Sequence, residues 1–439
     1  MKYVIYLVIF VMCSCNSNNT VVDEAKETQK EELKTSEIVY EPANAYYYYL
    51  PSIYKTNTEL PILIFFDAHA IGDLPLKKYK KLSEKFGYIL IGSNKSENGL
   101  TENQYFSIYN NIKNDISKKF SFNKARIYTS GFSGGARVAS MIAISEGGII
   151  GVIACGAGFP QLNGENQNKF NFVGIAGNID FNYTELKQLA NYLDNQNYKN
   201  HFIGFNGKHE WPPDSVMLEA FYWLETNAMR DSLKPKNDSL ISEIQTFYNK
   251  QFEMATDNTE KFKISETIIS FLDGLTDIET IKKKNWELIN KSDVKQYLKK
   301  ETIDIESEIT ERNNYAKYLN ENDLDWWKSE INKLNAKSDL KSARLLNYLS
   351  LMFFMSADGA LKQNAIEEAA AILDLYKLAD PENSDVYYLY ACYYAIIGDA
   401  GAAKEQLNFA IEKGFNNWYK MKNDTRLSIL RDTDLFLYH

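Results

Sequence analysis

Six short apolar runs in the first half of the chain constrain its fold more than any other feature. They are PILIFFD (61–67), GYILIGS (87–93), ARIYTSG (125–131), GIIGVIACG (148–156), NFVGIAG (171–177) and NHFIGFNG (200–207). Amphipathic stretches at helical spacing follow at 103–119, 135–146, 183–195 and 217–224. Strands that look buried on both faces and alternate with helices predict a mainly parallel sheet with helices on both faces. Such a sheet places its functional site at the carboxyl ends of the strands.

The second half of the chain has a different character. Seventeen of the 22 glycines lie between residues 72 and 207, and only five follow. From about residue 230 the sequence predicts helices almost throughout, with a capping box at Thr276-Asp277-Ile278-Glu279 opening one of them. We therefore predict an α/β domain over 38–228, a helical region over 229–340 and helical repeats over 341–439.

Two helix pairs near the end of the chain look related. Ala369 and Ala403 are 34 residues apart, and each lies in an amphipathic segment that a turn follows. That spacing is the period of the tetratricopeptide repeat, and residues 387–410 resemble one such repeat after a degenerate first. An ordinary helical bundle is the alternative. The resemblance implies a protein partner that binds through the repeats.

The first fifteen residues have the features of an export signal. Lys2 precedes an apolar run over 3–12 that is too short to span a bilayer. The run ends in a way that resembles a bacterial lipoprotein signal, in which Cys15 after the small Ser14 is the lipidated residue. An ordinary cleaved signal is the alternative. Residues 16–37 are polar and predict a flexible tether, so we expect lipid anchoring in the bacterial cell envelope, at the periplasmic or surface face of the outer membrane.

Charge and motif content narrow the class of partner. Lys and Arg number 49 against 58 Asp and Glu, and no basic stripe is present, so nucleic acid is not an expected partner. The sequence contains no H-E-x-x-H and no paired-cysteine motif, so we expect neither a metal site nor a cofactor.

The segment GFSGG, residues 131–135, places a serine among three glycines. A lone G-x-S-x-G arises by chance, so its surroundings decide its meaning. Here a run of β-forming residues precedes Ser133 and a small-residue helix follows, which is the context of a nucleophile on a sharp strand-to-helix turn. The N–H of Gly134, at the start of that helix, is the predicted first donor to an oxyanion.

A serine nucleophile requires a histidine base and an acid that orients it. In this fold the chain order is Ser, acid, His, which leaves His201 and His209 of the four histidines. His201 opens a strand and so lies at the wrong edge of the sheet. His209 follows the carboxyl end of the same strand and is the predicted base, with a surface-loop histidine as the alternative.

The predicted acid is Asp180. It comes just after the strand 171–177, on the rim that carries the serine and the histidine. Its alternative role is to cap the helix that follows. Asp194 is the rival acid, but it lies at the end of that helix, away from the rim.

These segments carry a family resemblance. GFSGG, GNID and GKHEWPP, with FFDAHAIGD upstream, resemble α/β-hydrolases over residues 38–228. They are most similar to compact esterases of the polyhydroxybutyrate-depolymerase and feruloyl-esterase type, whose histidine lies in a Gly-Gly-His-x-Trp-Pro segment. Lys208 stands where that family has its second glycine. The resemblance implies esterase activity and makes Ala68 the second oxyanion donor.

Three residues are candidates for the substrate pocket. His69 either lines the pocket or packs beneath its loop. Phe132 and Trp211 could stack on the rings of a carbohydrate-linked or phenolic substrate. The alternative is that both side chains only pack around the sharp turn that carries Ser133. We thus predict an exported serine hydrolase that acts on carboxylic esters. A serine peptidase of the same fold and a non-catalytic binding scaffold remain the alternatives.

Overall fold

The computed structural model describes residues 33–159, 168–319, 321 and 323–431. The described residues contain one sheet of eight strands, in the order β1-β2-β4-β3-β5-β6-β7-β8. The strands are β1 (Ile38–Glu41), β2 (Tyr46–Tyr49), β3 (Leu60–Asp67), β4 (Ile89–Ser93), β5 (Phe122–Phe132), β6 (Ile149–Cys155), β7 (Asn171–Gly177) and β8 (Asn200–Phe205). The predicted lipoprotein signal, with Cys15, and most of the predicted tether lie outside the described residues.

The sheet is parallel from β4 to β8, as the apolar runs predict. Each of the six predicted runs overlaps one of these parallel strands. The antiparallel strands β1 and β2 extend the sheet beyond β4 and are absent from the sequence prediction. Strand β2 is a run of four tyrosines, which shows neither the unbroken aliphatic character nor the alternation that marks a strand.

In the first half of the chain, helices pack on the sheet. The second half of the chain consists of helices. They are α1 (Asp73–Phe86), α2 (Glu102–Lys119), α3 (Gly134–Ser145), α4 (Tyr183–Asn195), α5 (Asp214–Arg230), α6 (Asp238–Met254), α7 (Asn258–Leu272), α8 (Glu279–Ile289), α9 (Ser292–Tyr318), α10 (Leu324–Asn335), α11 (Leu340–Lys362), α12 (Ile366–Ala379), α13 (Ser384–Ile396), α14 (Ala400–Glu412) and α15 (Trp418–Asn423). A 3₁₀ helix follows at Thr425–Leu430. None of the helices in the described ranges combines the length and apolarity that a membrane span requires.

The capping box predicted at Thr276 is wrong. Helix α8 begins at Glu279, so Thr276 lies too far ahead of it to be its cap. The N-cap position is Ile278, which has no side-chain cap, and Asp277 Oδ1 accepts a hydrogen bond of 3.0 Å from the N–H of Glu279. A true capping box opens α2, where Thr101 and Gln104 bond each other's backbone N–H groups.

The core of the sheet continues into the helical half. Seven of the eight residues of β3 are buried, and because successive side chains point to opposite faces, both faces are covered. Ile244 of α6 and Ile268 of α7 are fully buried in the same hydrophobic cluster as the sheet. The boundary predicted at residue 228 stays a prediction, since the apolar core does not end there.

The C-terminal part is helical, as predicted, and has an apolar core of its own. Helix α11 packs on α12, and α13 packs on α14. Ala369 and Ala403 are both fully buried, each in the second helix of its pair. The 34-residue spacing in the sequence therefore corresponds to two successive helix pairs with a buried alanine at the same place.

Candidate active site

The turn between β5 and α3 holds Ser133 in a strained conformation. Its φ of 54° and ψ of −122° lie in a region that non-glycine residues rarely adopt. The Ser133 N–H donates to the Cys155 carbonyl at 2.8 Å, which ties the turn to β6. A Cβ on Gly135 would lie 2.0 Å from the Phe66 carbonyl oxygen, so the helix can approach the sheet this closely only with glycine there.

The structure brings Ser133, His209 and Asp180 into hydrogen-bond contact. Ser133 Oγ lies 3.0 Å from His209 Nε2, and His209 Nδ1 lies 3.0 Å from each carboxyl oxygen of Asp180. Because a carboxylate only accepts, we assign the proton to Nδ1, which leaves Nε2 to accept from the serine hydroxyl. Asp180 is 1% exposed and the His209 side chain 20% exposed, so the serine side of the imidazole is the one open to a substrate.

Asp180 is not the N-cap of α4, the role considered as its alternative, because Asn182 holds that position and no side-chain cap is present there. Asp180 Oδ1 accepts a hydrogen bond of 2.7 Å from the N–H of Asn182, the residue that precedes α4. The Asn182 side chain in turn donates to the Gly156 carbonyl at 2.7 Å, linking this turn to the end of β6. The bonds to the Asn182 N–H and to His209 Nδ1 therefore both fix the Asp180 carboxylate.

The three residues follow the carboxyl ends of three parallel strands: β5 for Ser133, β7 for Asp180 and β8 for His209. Their chain order is serine, acid, histidine, with the serine on a strand-to-helix elbow. The fold is that of an α/β-hydrolase. The predicted fold class is thereby confirmed, including the helical C-terminal part.

No protein-family model matches the chain, and no curated protein matches its sequence. Among solved structures, S-formylglutathione hydrolase (FrmB) from Staphylococcus aureus has a TM-score of 0.35 and 15% identity, over 43% of this chain and 94% of its own. The feruloyl esterase module from Clostridium thermocellum, complexed with sinapinate, has a TM-score of 0.34 and 12% identity, over 42% and 83%. Pyrococcus horikoshii acylaminoacyl peptidase has a TM-score of 0.32 and 13% identity, over 42% and 39%.

The two predicted oxyanion donors lie beside the serine. Gly134 is the first residue of α3, where a backbone N–H has no partner within the helix. Asp67 pairs with Phe132 across β3 and β5, so Ala68 comes next to the elbow on the neighbouring strand. The Ala68 carbonyl accepts from the N–H of Asn98 at 2.9 Å, which fixes the direction of the loop.

A buried carboxylate that sequence reasoning missed organises this loop. Asp67, at the end of β3, is 3% exposed. Its Oδ1 accepts from the N–H of His69 at 2.8 Å, and its Oδ2 accepts from the indole N–H of Trp211 at 2.9 Å. Asp67 thus joins the loop of Ala68 to the loop of His209. The only sequence signal for this role was an acidic residue at the end of an apolar strand.

Trp211 therefore lies under the site and not in an open pocket. It is 9% exposed and packs edge-on against Phe65 and Tyr79, with ring centroids 6.1 and 6.0 Å away. Burial raises the pKa of the Tyr79 hydroxyl well above its usual value, so it stays protonated and donates to the Pro212 carbonyl at 2.7 Å. These contacts favour the packing alternative for Trp211.

Replacing Trp211 should destabilise the fold, because Asp67 Oδ2 loses the indole N–H that donates to it. We expect Trp211→Phe to lower the free energy of unfolding by about 1–3 kcal/mol, because a buried carboxylate oxygen loses its donor. Urea denaturation measures this loss. Trp286→Phe is the control, since Trp286 is 69% exposed and should change stability little. Equal stability of the two variants would contradict the assigned role of Asp67.

Two aromatic rings flank the imidazole of His209. The ring centroid of Phe181 lies 4.2 Å from it and that of Phe132 lies 4.6 Å from it. Both rings are partly exposed, so Phe132 can contact a substrate and also packs on the imidazole. Phe181 is a second ring at the rim that belongs with the candidate pocket residues.

His69 lies on the loop between β3 and α1, next to Ala68. Its side chain is 62% exposed, which places it at the surface of the rim and not beneath the loop.

Among the residues that the structure describes, no group of three or more histidine, cysteine or acidic side chains is placed to hold a metal ion. Cys155 and Cys392 are both buried as free thiols, and burial raises the pKa of the Cys392 thiol to about 12. Neither thiol is placed to act as a nucleophile, because the reactive form is the thiolate and both are shielded from solvent.

Proposed function

We propose that the protein is a serine hydrolase that cleaves carboxylic esters through an acyl-enzyme. The observation that carries this proposal is the pair of 3.0 Å contacts from Ser133 Oγ to His209 and from His209 to Asp180. The strained backbone of Ser133, which lifts its hydroxyl out of the turn, supports it.

In the proposed reaction, Ser133 Oγ attacks the ester carbonyl carbon as His209 Nε2 takes the hydroxyl proton. The negative charge on the carbonyl oxygen is stabilised by the N–H groups of Gly134 and Ala68. The tetrahedral intermediate collapses, and His209 returns the proton to the departing alcohol. Water then attacks the acyl-serine with His209 again as base, which releases the acid and restores Ser133. Asp180 keeps the imidazole in one tautomer throughout.

A peptidase would use the same three residues on an amide. The partly exposed rings of Phe132 and Phe181 beside His209 support an ester of a bulky acyl group, including a phenolic or carbohydrate-linked one. We further propose that the protein is exported and held in the cell envelope by a lipid on Cys15, on the strength of the sequence of residues 1–15.

Covalent labelling tests the proposed nucleophile. A fluorophosphonate probe should label the wild-type protein and Ser145→Ala, whose serine lies exposed at the end of α3, and should not label Ser133→Ala. The reason is that only an activated serine attacks the probe's phosphorus. Labelling is read by in-gel fluorescence and peptide mapping. Equal labelling of Ser133→Ala, or no labelling of the wild type, would overturn the proposal.

Substrate panels then separate the alternatives. Short-chain nitrophenyl esters and feruloyl esters should be hydrolysed faster than peptide amides of matched size. Preferred hydrolysis of amides would favour the peptidase. Binding without turnover of any member, in a protein that the probe does not label, would favour a non-catalytic scaffold.

A further inference from the structure

The loop that carries Asp180 is held from outside by the helical half of the chain. This acid loop, residues 178–182, joins β7 to α4. Three of its five backbone carbonyls accept hydrogen bonds from side chains of α9 and α11. Arg344 Nη1 donates to the Asn178 carbonyl at 2.9 Å, and Asn347 Nδ2 donates to the Ile179 carbonyl at 2.6 Å. Arg312 donates to the Phe181 carbonyl.

A buried carboxylate fixes the two arginines. Glu308 of α9 is fully buried and accepts from Arg344 Nε at 2.8 Å and from Arg312 Nη2. The Arg344 guanidinium also lies over the ring of Tyr183, 4.8 Å from its centroid. Hydrogen bonds from charged donors are about twice as strong as those between neutral groups. Arg312 and Arg344 are therefore held in fixed positions by a buried carboxylate where they donate to the acid loop.

Within the sheet, the same loop is held mainly through its N–H groups. The Asn178 N–H donates to the Phe205 carbonyl at 2.7 Å, the Ile179 N–H donates to the Gly207 carbonyl at 3.2 Å, and the Asp180 N–H donates to the Gly177 carbonyl at 3.0 Å. The carbonyls of Asn178, Ile179 and Phe181 receive their side-chain donors from the helical half. The bonds from α9 and α11 come from residues more than 130 positions away.

We propose that Arg312, Arg344 and Asn347 are positioning residues for the reaction at Ser133. They hold the acid loop so that the Asp180 carboxylate contacts His209 Nδ1. The helical half of the chain thereby contributes to the activity of the hydrolase. This inference rests on the proposed function. It assigns to α9 and α11 a role that the tetratricopeptide-like spacing of the last helices does not address.

Asn347→Leu removes one donor and leaves the Glu308 cluster intact. We expect kcat to fall about 10- to 100-fold with KM nearly unchanged, because a small displacement of a catalytic group slows the chemical step. The acidic limb of the kcat/KM profile should move to lower pH, since a displaced carboxylate stabilises the protonated imidazole less. Arg344→Lys keeps a positive charge for Glu308 but loses the planar fork, and it should act in the same direction.

Lys341→Ala is the matched control. Lys341 lies on the same helix and bonds Glu311 of α9 at 2.6 Å, so its loss removes a similar contact between α9 and α11 without touching the acid loop. Its kcat and pH profile should match the wild type. If Asn347→Leu and Lys341→Ala behave alike in kcat and in pH profile, or if the loss in Asn347→Leu only follows a smaller folded fraction, the positioning role is overturned.

A measurement without turnover separates this inference from the hydrolase proposal. Nuclear magnetic resonance of the full chain with labelled histidine follows the titration of His209, identified by the signal missing from His209→Asn. The His209 pKa should be lower in Asn347→Leu than in the wild type and in Lys341→Ala. An unchanged His209 titration would overturn the positioning role even if the fluorophosphonate probe labels Ser133. A lowered pKa in a protein that the probe does not label would leave the positioning role standing and overturn the proposed function.

Discussion

Asp180→Asn should lower kcat about 10⁴-fold and leave the fold unchanged. The asparagine keeps an oxygen that can accept from the Asn182 N–H, a bond that is 2.7 Å long in the wild type, so the turn before α4 is preserved. It loses the charge that stabilises the imidazolium, and its amide cannot enforce the tautomer that frees Nε2 for Ser133. Steady-state hydrolysis of a nitrophenyl ester and the rate of fluorophosphonate labelling measure the loss.

The rival acid supplies the control. Asp194, at the end of α4, accepts from the Asn200 side chain at 2.7 Å and has no contact with His209. Asp194→Asn should therefore keep kcat within about twofold of the wild type. Retained activity in Asp180→Asn would show that another acid orients the histidine. A large loss in Asp194→Asn would show that the acid had been chosen wrongly.

The sequence was sufficient to predict that Ser133, Asp180 and His209 lie together, because the signals for their positions are local and follow the order of the strands. Ser133 is flanked by a strand, glycines and a helix, all within a few residues of it. Asp180 and His209 follow recognisable strand ends, and a parallel sheet brings such ends to one edge. The structure places the three side chains in contact, which follows from topology and needs no long-range detail.

Features that depend on contacts between distant parts of the chain could not be predicted from the sequence. Trp211 was a pocket candidate because it follows His209 closely, but its indole turns inward to Asp67 of β3. Nothing near Arg344 or Asn347 marks them as partners of a loop more than 160 residues earlier. In the sequence of an amphipathic helix, a buried arginine cannot be told from an exposed one. Only the packing of α9 and α11 on the acid loop shows that Arg344 is buried.

Gly156 lies beneath the site, where a side chain has no room. It follows β6 directly and has a φ of +65°, a conformation that favours glycine. A Cβ there would lie 2.8 Å from Phe132 Cε2, 3.1 Å from His209 Cε1 and 3.2 Å from Asp180 Oδ2. The added methyl group would therefore press on the ring beside the histidine and on the histidine and acid themselves.

Gly156→Ala should lower kcat/KM by about 10²-fold, since it shifts the imidazole against Ser133. It should also destabilise the protein by about 1–2 kcal/mol for the left-handed backbone. Gly148→Ala separates the two effects, because Gly148 precedes the same strand with a φ of +88° and nothing lies within 4 Å of its Cβ position. That variant should lose similar stability in thermal unfolding and keep its activity. Equal loss of activity in both variants would show that backbone strain, and not the contact with His209 and Asp180, explains the effect at Gly156.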